Sequence, residues 1–244
     1  MLHDDHRAVV VDPGQAQPVL DALGRHQLEL AAILVTHHHA DHTGGVAALR
    51  QATGAVVYGP ANETIPQPAQ GLNHGDIFSA LGLAFKAMDI PGHTAGHIGL
   101  YCAQFNGAPL LFCGDTLFSA GCGRLFEGTP AQMLASLDSL AALPGNTRIC
   151  CGHEYTLANL AFAQAVEPDN TAITIHAKHC RQLRAVQQPT LPSSLALELQ
   201  INPFLRSRQP AVIRAVAGFA ATTPVQDPTA VFAALRQWKN EFKT

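Results

Sequence analysis

The sequence predicts a layered α/β fold, an αββα sandwich of two packed sheets with outer helices, followed by a mainly helical unit. Three observations favour this fold. Apolar runs alternate with helical patterns up to residue 59, as in parallel strands joined by helices. Short apolar runs parted only by turn residues fill 77–117, as in an antiparallel meander. Beyond His153 the pattern is helical only.

The first part of the chain alternates buried apolar runs with amphipathic segments. In chain order we predict a strand at 8–11, a helix at 18–26, a strand at 31–35, a short helix after Gly45 and a strand at 55–59. The segment 59–76 is rich in Pro, Gly, Asn and Gln, and is therefore predicted to be a loop.

The second part begins with strands and ends with helices. Strands are predicted at 77–81, 83–90, 97–103, 110–117 and 148–151, with a hairpin turn at 105–107. A helix follows Thr129, and others are predicted at 157–166, 171–186 and 229–242, separated by proline-bearing connections at 188–193 and 203–224. We therefore divide the chain into a first domain at 1–155 and a helical domain at 156–244.

Composition narrows the class of protein. The 244 residues are 47% hydrophobic and 14% charged, enough for one large core. A formal charge of −3 predicts no nucleic-acid partner, and the lack of an apolar run near ~20 residues predicts no membrane partner. The first residues carry no signal-peptide pattern, so we expect a cytoplasmic location. Six cysteines without disulfide spacing are expected to be reduced thiols.

Four histidines and a carboxylate lie in the heptad 36–42, directly after the predicted strand at 31–35. Side chains alternate along an extended strand, so His37 and His39 point the same way while His38 does not. Asp41 and His42 follow in the turn toward the next helix. Imidazoles and a carboxylate that converge at a strand end predict a metal site, with His38 outside it.

Three further loops after predicted strands offer metal ligands. Each of His93, Asp115 and His153 directly follows a glycine, a residue that permits tight turns and close backbone approach. Four strand-end loops that present His or Asp within one domain predict a single shared site.

These motifs resemble the metallo-β-lactamase superfamily in its two-metal form. The segments 114–118, 121–129 and 151–156 look in particular like those of the hydroxyacylglutathione hydrolases (glyoxalase II). The resemblance implies two divalent metal ions bridged by Asp115. The implied ligands are His37, His39 and His93 for one ion, and Asp41, His42 and His153 for the other. Zinc is the expected metal, although iron or manganese suits the same donors.

Two polar residues are candidates for supporting roles. Asp12, at the end of the first predicted strand, is expected to orient a ligand histidine. His97 either supports His93 or simply begins the following strand, and the sequence leaves both interpretations open.

The resemblance implies hydrolysis of S-(2-hydroxyacyl)glutathione, in particular S-D-lactoylglutathione, to glutathione and D-lactate in methylglyoxal degradation. Asp41 and Asp115 would act through the metals, with a hydroxide bridging the two ions as nucleophile. No dedicated general acid is expected, because a thiolate leaves readily. Glutathione binding would fall to four residues: Arg124, Tyr155, Arg236 and Lys239. Phe126 stands where some members carry tyrosine, so we expect weaker contact there.

Other functions remain open at this stage. The rivals are a mononuclear iron persulfide dioxygenase or another lactamase-like hydrolase on the same fold, and a glutathione- or metal-binding protein without turnover. Asp41 and His42 together favour two metals. Family members usually begin with an extra strand or two, so we expect 1–7 to be the tail of a first strand in a shortened chain with an uncovered sheet edge. We expect a monomer.

Overall fold

The structure, a computed structural model, describes residues 1–243 and contains two sheets packed face to face. The first sheet has five strands in spatial order β1 to β5. They are β1 (Leu2–His3), β2 (Arg7–Val11), β3 (Glu29–Leu34), β4 (Val56–Pro60) and β5 (Gln70–Leu72). Neighbours from β2 to β5 are parallel, while β1 runs antiparallel to β2. The predicted parallel units are therefore confirmed.

Helices α1 (Gln17–His26), α2 (Ala40–Thr43) and α3 (Val46–Thr53) connect these strands. The prediction of an unbroken loop at 59–76 is wrong, because Gln70–Leu72 pairs with Tyr58–Pro60. Gln-Gly-Leu carries none of the β-branched or aromatic residues typical of strands. The strand forms because its backbone completes the edge of the sheet, which is a tertiary cause.

The second sheet has six strands in the order β13-β12-β9-β8-β7-β6. They are β6 (Ile77–Ala80), β7 (Leu83–Asp89), β8 (Ile98–Phe105), β9 (Ala108–Gly114), β12 (Arg148–Cys151) and β13 (Ser193–Ser194). A separate hairpin joins β10 (Leu117–Phe118) to β11 (Gly121–Cys122). The strand predicted at 110–117 therefore ends early, at Gly114, and Asp115 lies in a turn.

Turn chemistry supports the hairpin predicted at 105–107. Asn106 and Gly107 both have positive φ values, 48° and 81°. Two positive φ values match the twist of an antiparallel hairpin, and Asn-Gly adopts them at low cost. This turn joins β8 to β9, the last two strands of the antiparallel meander from β6 to β9.

The remaining helices are α4 (Pro130–Ala141), α5 (Thr156–Val166), α6 (Thr171–Ala185), α7 (Leu195–Ile201), α8 (Pro210–Phe219) and α9 (Pro228–Glu241). Helix α4 begins at a complete capping box between Thr129 and Gln132. Helix α8 falls in the predicted connection at 203–224, so that prediction is wrong. Pro210 occupies the first turn of α8, where a missing N–H breaks no helical hydrogen bond.

Side-chain alternation in the strands builds three apolar layers. In β9, Leu110 and Phe112 face the space between the sheets, whereas Leu111 packs against the outer helices. In β3, Leu34 faces the same inner space and Ile33 packs under α1 and α3. This alternation confirms the predicted αββα sandwich.

The helical tail shares its core with the second sheet. Leu111 of β9, Leu137 of α4, Phe162 of α5 and Phe232 of α9 belong to one buried cluster. Strand β13 also joins the sheet edge next to β12, which the helical-only reading of the tail missed. The tail is therefore fixed against the first domain beside the strand ends.

Two further predictions concern the cysteines and the helices. All six cysteines are free thiols, as expected, and four of them are buried. Among residues 1–243, none of the helices combines the length and apolarity needed to cross a bilayer.

Candidate metal centre

Four loops meet where the two sheets approach each other. They follow β3, precede β8, follow β9 and follow β12. Two backbone hydrogen bonds fix the meeting point: Ile98 N donates to Thr36 O at 3.0 Å, and Gly152 N donates to Gly114 O at 2.8 Å. Residues far apart in sequence therefore present their side chains into one space.

The first cluster, here the three-histidine group, consists of His37, His39 and His93. One nitrogen from each ring lies within 4.8 Å of the others. His93 Nε2 is 3.1 Å from His39 Nδ1, and the ring centroids of His37 and His93 are 5.0 Å apart. His37 and His93 are buried, which fixes their rings before any ligand arrives.

The second cluster, here the Asp41 group, consists of Asp41, His42 and His153, and its ligand atoms also lie within 4.8 Å of one another. His153 Nε2 is 3.3 Å from Asp41 Oδ2 and 3.2 Å from His42 Nε2. Both Asp41 and His42 lie in α2. His42 is buried, whereas the Asp41 side chain is largely exposed.

Asp115 lies between the two groups. Its Oδ2 is 3.5 Å from both His93 Nε2 and His153 Nε2, and its Oδ1 is 3.4 Å from His42 Nε2. The carboxylate is buried in the turn after β9. One carboxylate thus reaches both sets of imidazoles.

The donor set fits divalent cations. Within residues 1–243, the buried His37 Nε2 has no hydrogen-bond partner, nor does Asp115 Oδ1. Buried polar atoms rarely stay unpaired without a missing ligand. Two imidazole nitrogens bound to one tetrahedral ion at roughly 2.1 Å stand about 3.4 Å apart, close to the nitrogen separations found in each group. The cluster can therefore hold two metal ions.

Electrostatics favour the same conclusion. Burial, followed by the neighbouring imidazoles, lowers the pKa of His37 and keeps its ring in the neutral form that binds metals. Burial alone would lower the pKa of His42, but the adjacent carboxylates of Asp115 and Asp12 outweigh it and raise that pKa to about 10. The carboxylates of Asp12 and Asp115 therefore stabilise a positive charge at His42. Either a proton or a metal cation can supply that charge.

Asp12 supports the Asp41 group from behind. Its Oδ2 is 3.1 Å from His42 Nδ1 and accepts from the Thr36 hydroxyl at 2.7 Å, while its Oδ1 accepts from Thr36 N at 2.8 Å. This contact leaves His42 Nε2 to face the centre. The carboxylate orients a histidine, as expected from the sequence.

His97 has a role that neither sequence interpretation included. Strand β8 begins one residue later, and the fully buried His97 ring stacks on His37 at a centroid distance of 4.6 Å. Its Nε2 accepts a hydrogen bond from Asp115 N at 3.1 Å. His97 therefore holds the backbone of Asp115 and packs against His37, and its ring also lies edgewise to His93 at a centroid distance of 6.2 Å.

A cavity of about 730 Å³ opens in front of these residues. Its lining combines the metal-ligand candidates, here the metal-ligand wall, with the four residues expected to bind glutathione. The lining includes His39, Asp41, His93, Asp115 and His153, together with Arg124, Tyr155, Arg236 and Lys239. The last helix, α9, therefore reaches the mouth of the site.

Three of these residues, Arg124, Arg236 and Lys239, form what we name the cationic wall. Arg236 is buried, donates to Cys122 O at 2.8 Å and lies over the Phe204 ring. Burial, then the nearby Arg236 and Arg124, lower the pKa of Lys239 to about 8. Three clustered cations, with the pKa of Lys239 lowered by the other two, indicate a site for an anionic ligand.

Two aromatic rings complete the cavity. Tyr155 stacks on His153 at a centroid distance of 5.0 Å and is 50% exposed, so its hydroxyl is free to meet a ligand. Phe126 is 63% exposed and sets its ring edgewise against His39 and His93. Phe126 therefore presents an apolar surface next to the three-histidine group.

His38 lies outside both groups, in line with the predicted alternation of side chains, although β3 ends at Leu34 and the three histidines lie in the loop after it. Its ring instead contacts Glu63 and Glu127 at 3.0 and 3.2 Å. Sequence reasoning missed Glu63 altogether, because it lies in the Pro-rich segment 59–76 and belongs to no motif.

Family models cover nearly the whole chain. The metallo-beta-lactamase superfamily model matches residues 1–153, and the model of the hydroxyacylglutathione hydrolase C-terminus matches residues 154–242. The change of family model falls at the loop that carries His153, where the second sheet gives way to the helical tail.

Individual relatives agree with these models. A hydroxyacylglutathione hydrolase of Albidiferax ferrireducens is 64% identical over 99% of this chain and 94% of its own length. One of Pseudomonas aeruginosa is 54% identical over 97% of this chain and 91% of its own length.

Solved structures give the same fold. The crystal structure of BLEG-1 B3 metallo-beta-lactamase matches 84% of this chain and 91% of its own chain, with a TM-score of 0.62 and 25% identity. ETHE1 from Myxococcus xanthus matches 96% of this chain and 88% of its own, with a TM-score of 0.61 and 25% identity. Sequence, fold and site together show that the chain belongs to the metallo-beta-lactamase superfamily and, within it, to the hydroxyacylglutathione hydrolase family.

Proposed function

We propose that this chain hydrolyses the thioester S-(2-hydroxyacyl)glutathione, with S-D-lactoylglutathione as the main substrate, to glutathione and D-lactate. The observation that carries the proposal is a single cavity lined both by metal-ligand candidates and by the three residues of the cationic wall. Its relatives are named for this reaction.

The metal ligands are proposed residue by residue. The three-histidine group would hold one ion, the Asp41 group the other, and Asp115 would bridge them. Zinc is the proposed metal, and iron or manganese would suit the same nitrogen and oxygen donors. Two bound divalent ions would lower the pKa of water in the site and polarise the thioester carbonyl.

The chain's own side chains would bind and orient the substrate. Glutathione carries two carboxylates, and guanidinium and ammonium groups bind carboxylates through charge-assisted hydrogen bonds. Arg124, Arg236 and Lys239 would therefore anchor the glutathione moiety, with the Tyr155 hydroxyl as a further donor. The thioester would then lie toward His39, Asp41 and Asp115.

The surroundings of the nearby acids fit a thioester better than an amide. Glu154 accepts from Thr190 N at 3.2 Å and pairs with Arg184, while Asp12 is held by Thr36 and His42. Both carboxylates are thus already bound to other residues of the chain. A thiolate whose conjugate acid has a pKa of about 8.5 leaves without protonation, whereas an amine needs a proton.

Steady-state hydrolysis tests the proposal. We expect the metal-loaded protein to hydrolyse S-D-lactoylglutathione, to lose activity with a chelator and to regain it with zinc. The lactoyl thioester of a small uncharged thiol should be a much poorer substrate, with a higher KM. Oxygen consumption with glutathione persulfide in the absence of thioester hydrolysis would instead support the dioxygenase alternative.

Three finer statements stay predictions from the sequence: a monomer, a cytoplasmic location and no nucleic-acid or membrane partner. Light scattering of the metal-loaded protein tests the first directly. Elemental analysis of the same sample identifies the metal and its stoichiometry.

A further inference from the structure

Glu63 lies between two of the loops that build the metal centre. It follows β4 and its side chain is only 3% exposed. In the described part of the chain it has no hydrogen bond to Asp41, His42 or His153. A buried carboxylate is costly unless several donors surround it.

Four donors do surround this carboxylate. Its Oε2 accepts from His38 N at 2.6 Å and lies 3.0 Å from His38 Nδ1. Its Oε1 accepts from Gly96 N at 3.0 Å and from the Thr94 hydroxyl. His38 stands between His37 and His39, and Thr94 directly follows His93. Glu63 therefore joins the two segments that supply the three-histidine group.

A second carboxylate closes the connection. Glu127 Oε1 is 3.2 Å from His38 Nε2, and Glu127 Oε2 accepts from Ala95 N at 2.8 Å. His38 thus bridges Glu63 and Glu127, and both carboxylates also bind the turn at 94–96. The Glu63 side chain packs against Gly96 so closely that a Cβ there would lie 2.6 Å from Glu63 Cγ.

We propose that Glu63 is a positioning residue which, with His38 and Glu127, fixes His37 and His39 relative to His93. It thereby sets the affinity of the three-histidine group for its ion. The inference rests on the proposed metal assignment, although not on the proposed substrate. It also changes the expectation for His38: this residue is not a bystander, because it is the link between the two carboxylates.

Zinc binding to the apo-protein of Glu63→Gln tests the inference. The amide keeps the shape but presents an NH₂ group to donors that need acceptors. Loss of a partner that orients ligands lowers metal affinity by roughly 10–100-fold. In competition with a chromophoric chelator, we expect that loss for one ion of the two. The second should bind as in the wild type.

Two comparisons assign the weakened ion. Asp41→Asn should weaken the other ion, so the double variant Glu63→Gln/Asp41→Asn should lose affinity for both. The matched control is Glu167→Gln, which alters a buried carboxylate that binds Arg206 through two hydrogen bonds of 2.8 Å in the helical tail. This control should lower the melting temperature and leave both zinc affinities unchanged.

If Glu63→Gln does not fold, His38→Gln is tested in its place. This variant removes the imidazole that bridges Glu63 and Glu127 but keeps the backbone N–H at position 38 that donates to Glu63. Unchanged zinc affinities in the folded variant, an equal loss for both ions or a similar loss in Glu167→Gln would overturn the inference. Because zinc alone is the probe, the result is independent of thioester turnover. A wild type that binds two zinc ions without hydrolysing the thioester would refute the proposed function only.

Discussion

The two walls of the cavity are built in different ways. His37, His42, His93 and Asp115 are buried, and each is held from behind by hydrogen bonds or by stacking. On the cationic wall, Arg236 is also buried and hydrogen-bonded, but Arg124 is exposed and Lys239 makes one hydrogen bond, to Ala158 O. The first wall is preorganised for small ions that demand fixed distances. On the second, Arg124 and Lys239 are free to adjust to a larger, flexible ligand.

This difference predicts separable effects. Changes on the metal-ligand wall should alter metal content and turnover together. Changes on the cationic wall should alter KM and leave metal content unchanged. The following variants test that separation, from the largest expected effect to the smallest.

Asp41→Ala should have the largest effect. It removes a direct ligand candidate of the Asp41 group, so the zinc content should fall from two ions toward one per chain. Loss of an outer partner alone costs roughly 10–100-fold. We therefore expect kcat to fall at least about 100-fold, measured beside elemental analysis of the same sample. If the variant retains two zinc ions per chain and an unchanged kcat, Asp41 is not a metal ligand.

Gly152→Ala should disturb the metal-ligand wall through backbone packing. A Cβ at this position would lie 2.5 Å from Asp115 Oδ1 and 2.7 Å from His42 Cε1. The carboxylate or the imidazole must move, so zinc affinity and kcat should both fall, by about 10-fold or more on the scale of displaced metal ligands.

Gly24→Ala is the matched control for this change. Its Cβ would meet nothing within 4 Å, and Gly24 lies inside α1. Alanine favours a helix over glycine by roughly 0.5–1 kcal/mol, so thermal unfolding should show slight stabilisation with unchanged zinc binding. An equal loss of zinc affinity in both variants would contradict the steric argument.

Lys239→Ala tests the cationic wall. A charge-assisted hydrogen bond to a substrate carboxylate contributes roughly 1.5–3 kcal/mol, and partial exposure reduces this value. We expect KM to rise about 10-fold, equivalent to about 1.4 kcal/mol. Zinc content and kcat should stay near the wild-type values. Lys178→Ala, an exposed lysine on α6, serves as the control and should leave KM unchanged.

The pH dependence of KM should give the smallest effect. Because burial and neighbouring arginines lower the pKa of Lys239 to about 8, its ammonium loses its charge as the pH rises through that value. Substrate carboxylates then bind less tightly, so KM should increase between pH 7 and 9. Lys239→Arg keeps its charge across this range and should flatten the rise. The same slope in both proteins would assign the effect to another group.

Some residues of the site could be predicted from their immediate neighbours in the sequence. Strand alternation separates His37 and His39 from His38, and the glycines before His93, Asp115 and His153 mark the ligand loops. Such signals lie in adjacent residues. Asp12 was also recognisable, because it follows the predicted strand at 8–11 in an Asp-Pro-Gly turn.

Other parts could not be predicted, because their causes are long-range. His97 accepts from Asp115 N only after β8 and β9 pair. Glu63 gains its four donors only when the segment after β4 meets both the loop after β3 and the loop before β8. Arg236 becomes buried only because α9 packs over α4 and the hairpin at 117–122.

The sequence by itself determined the layered fold, through the periods of its apolar residues, and the chemistry of the metal centre, through the types and spacing of its ligands. The tertiary structure decided which atoms converge, which carboxylates hold the ligand loops and how close the cationic wall lies. Periodicity is a property of neighbouring residues, whereas convergence depends on pairings such as Thr36 with Ile98 and Gly114 with Gly152. The first contact joins the loops of the two sheets and the second continues the pairing of β9 with β12, so both depend on residues far apart in sequence.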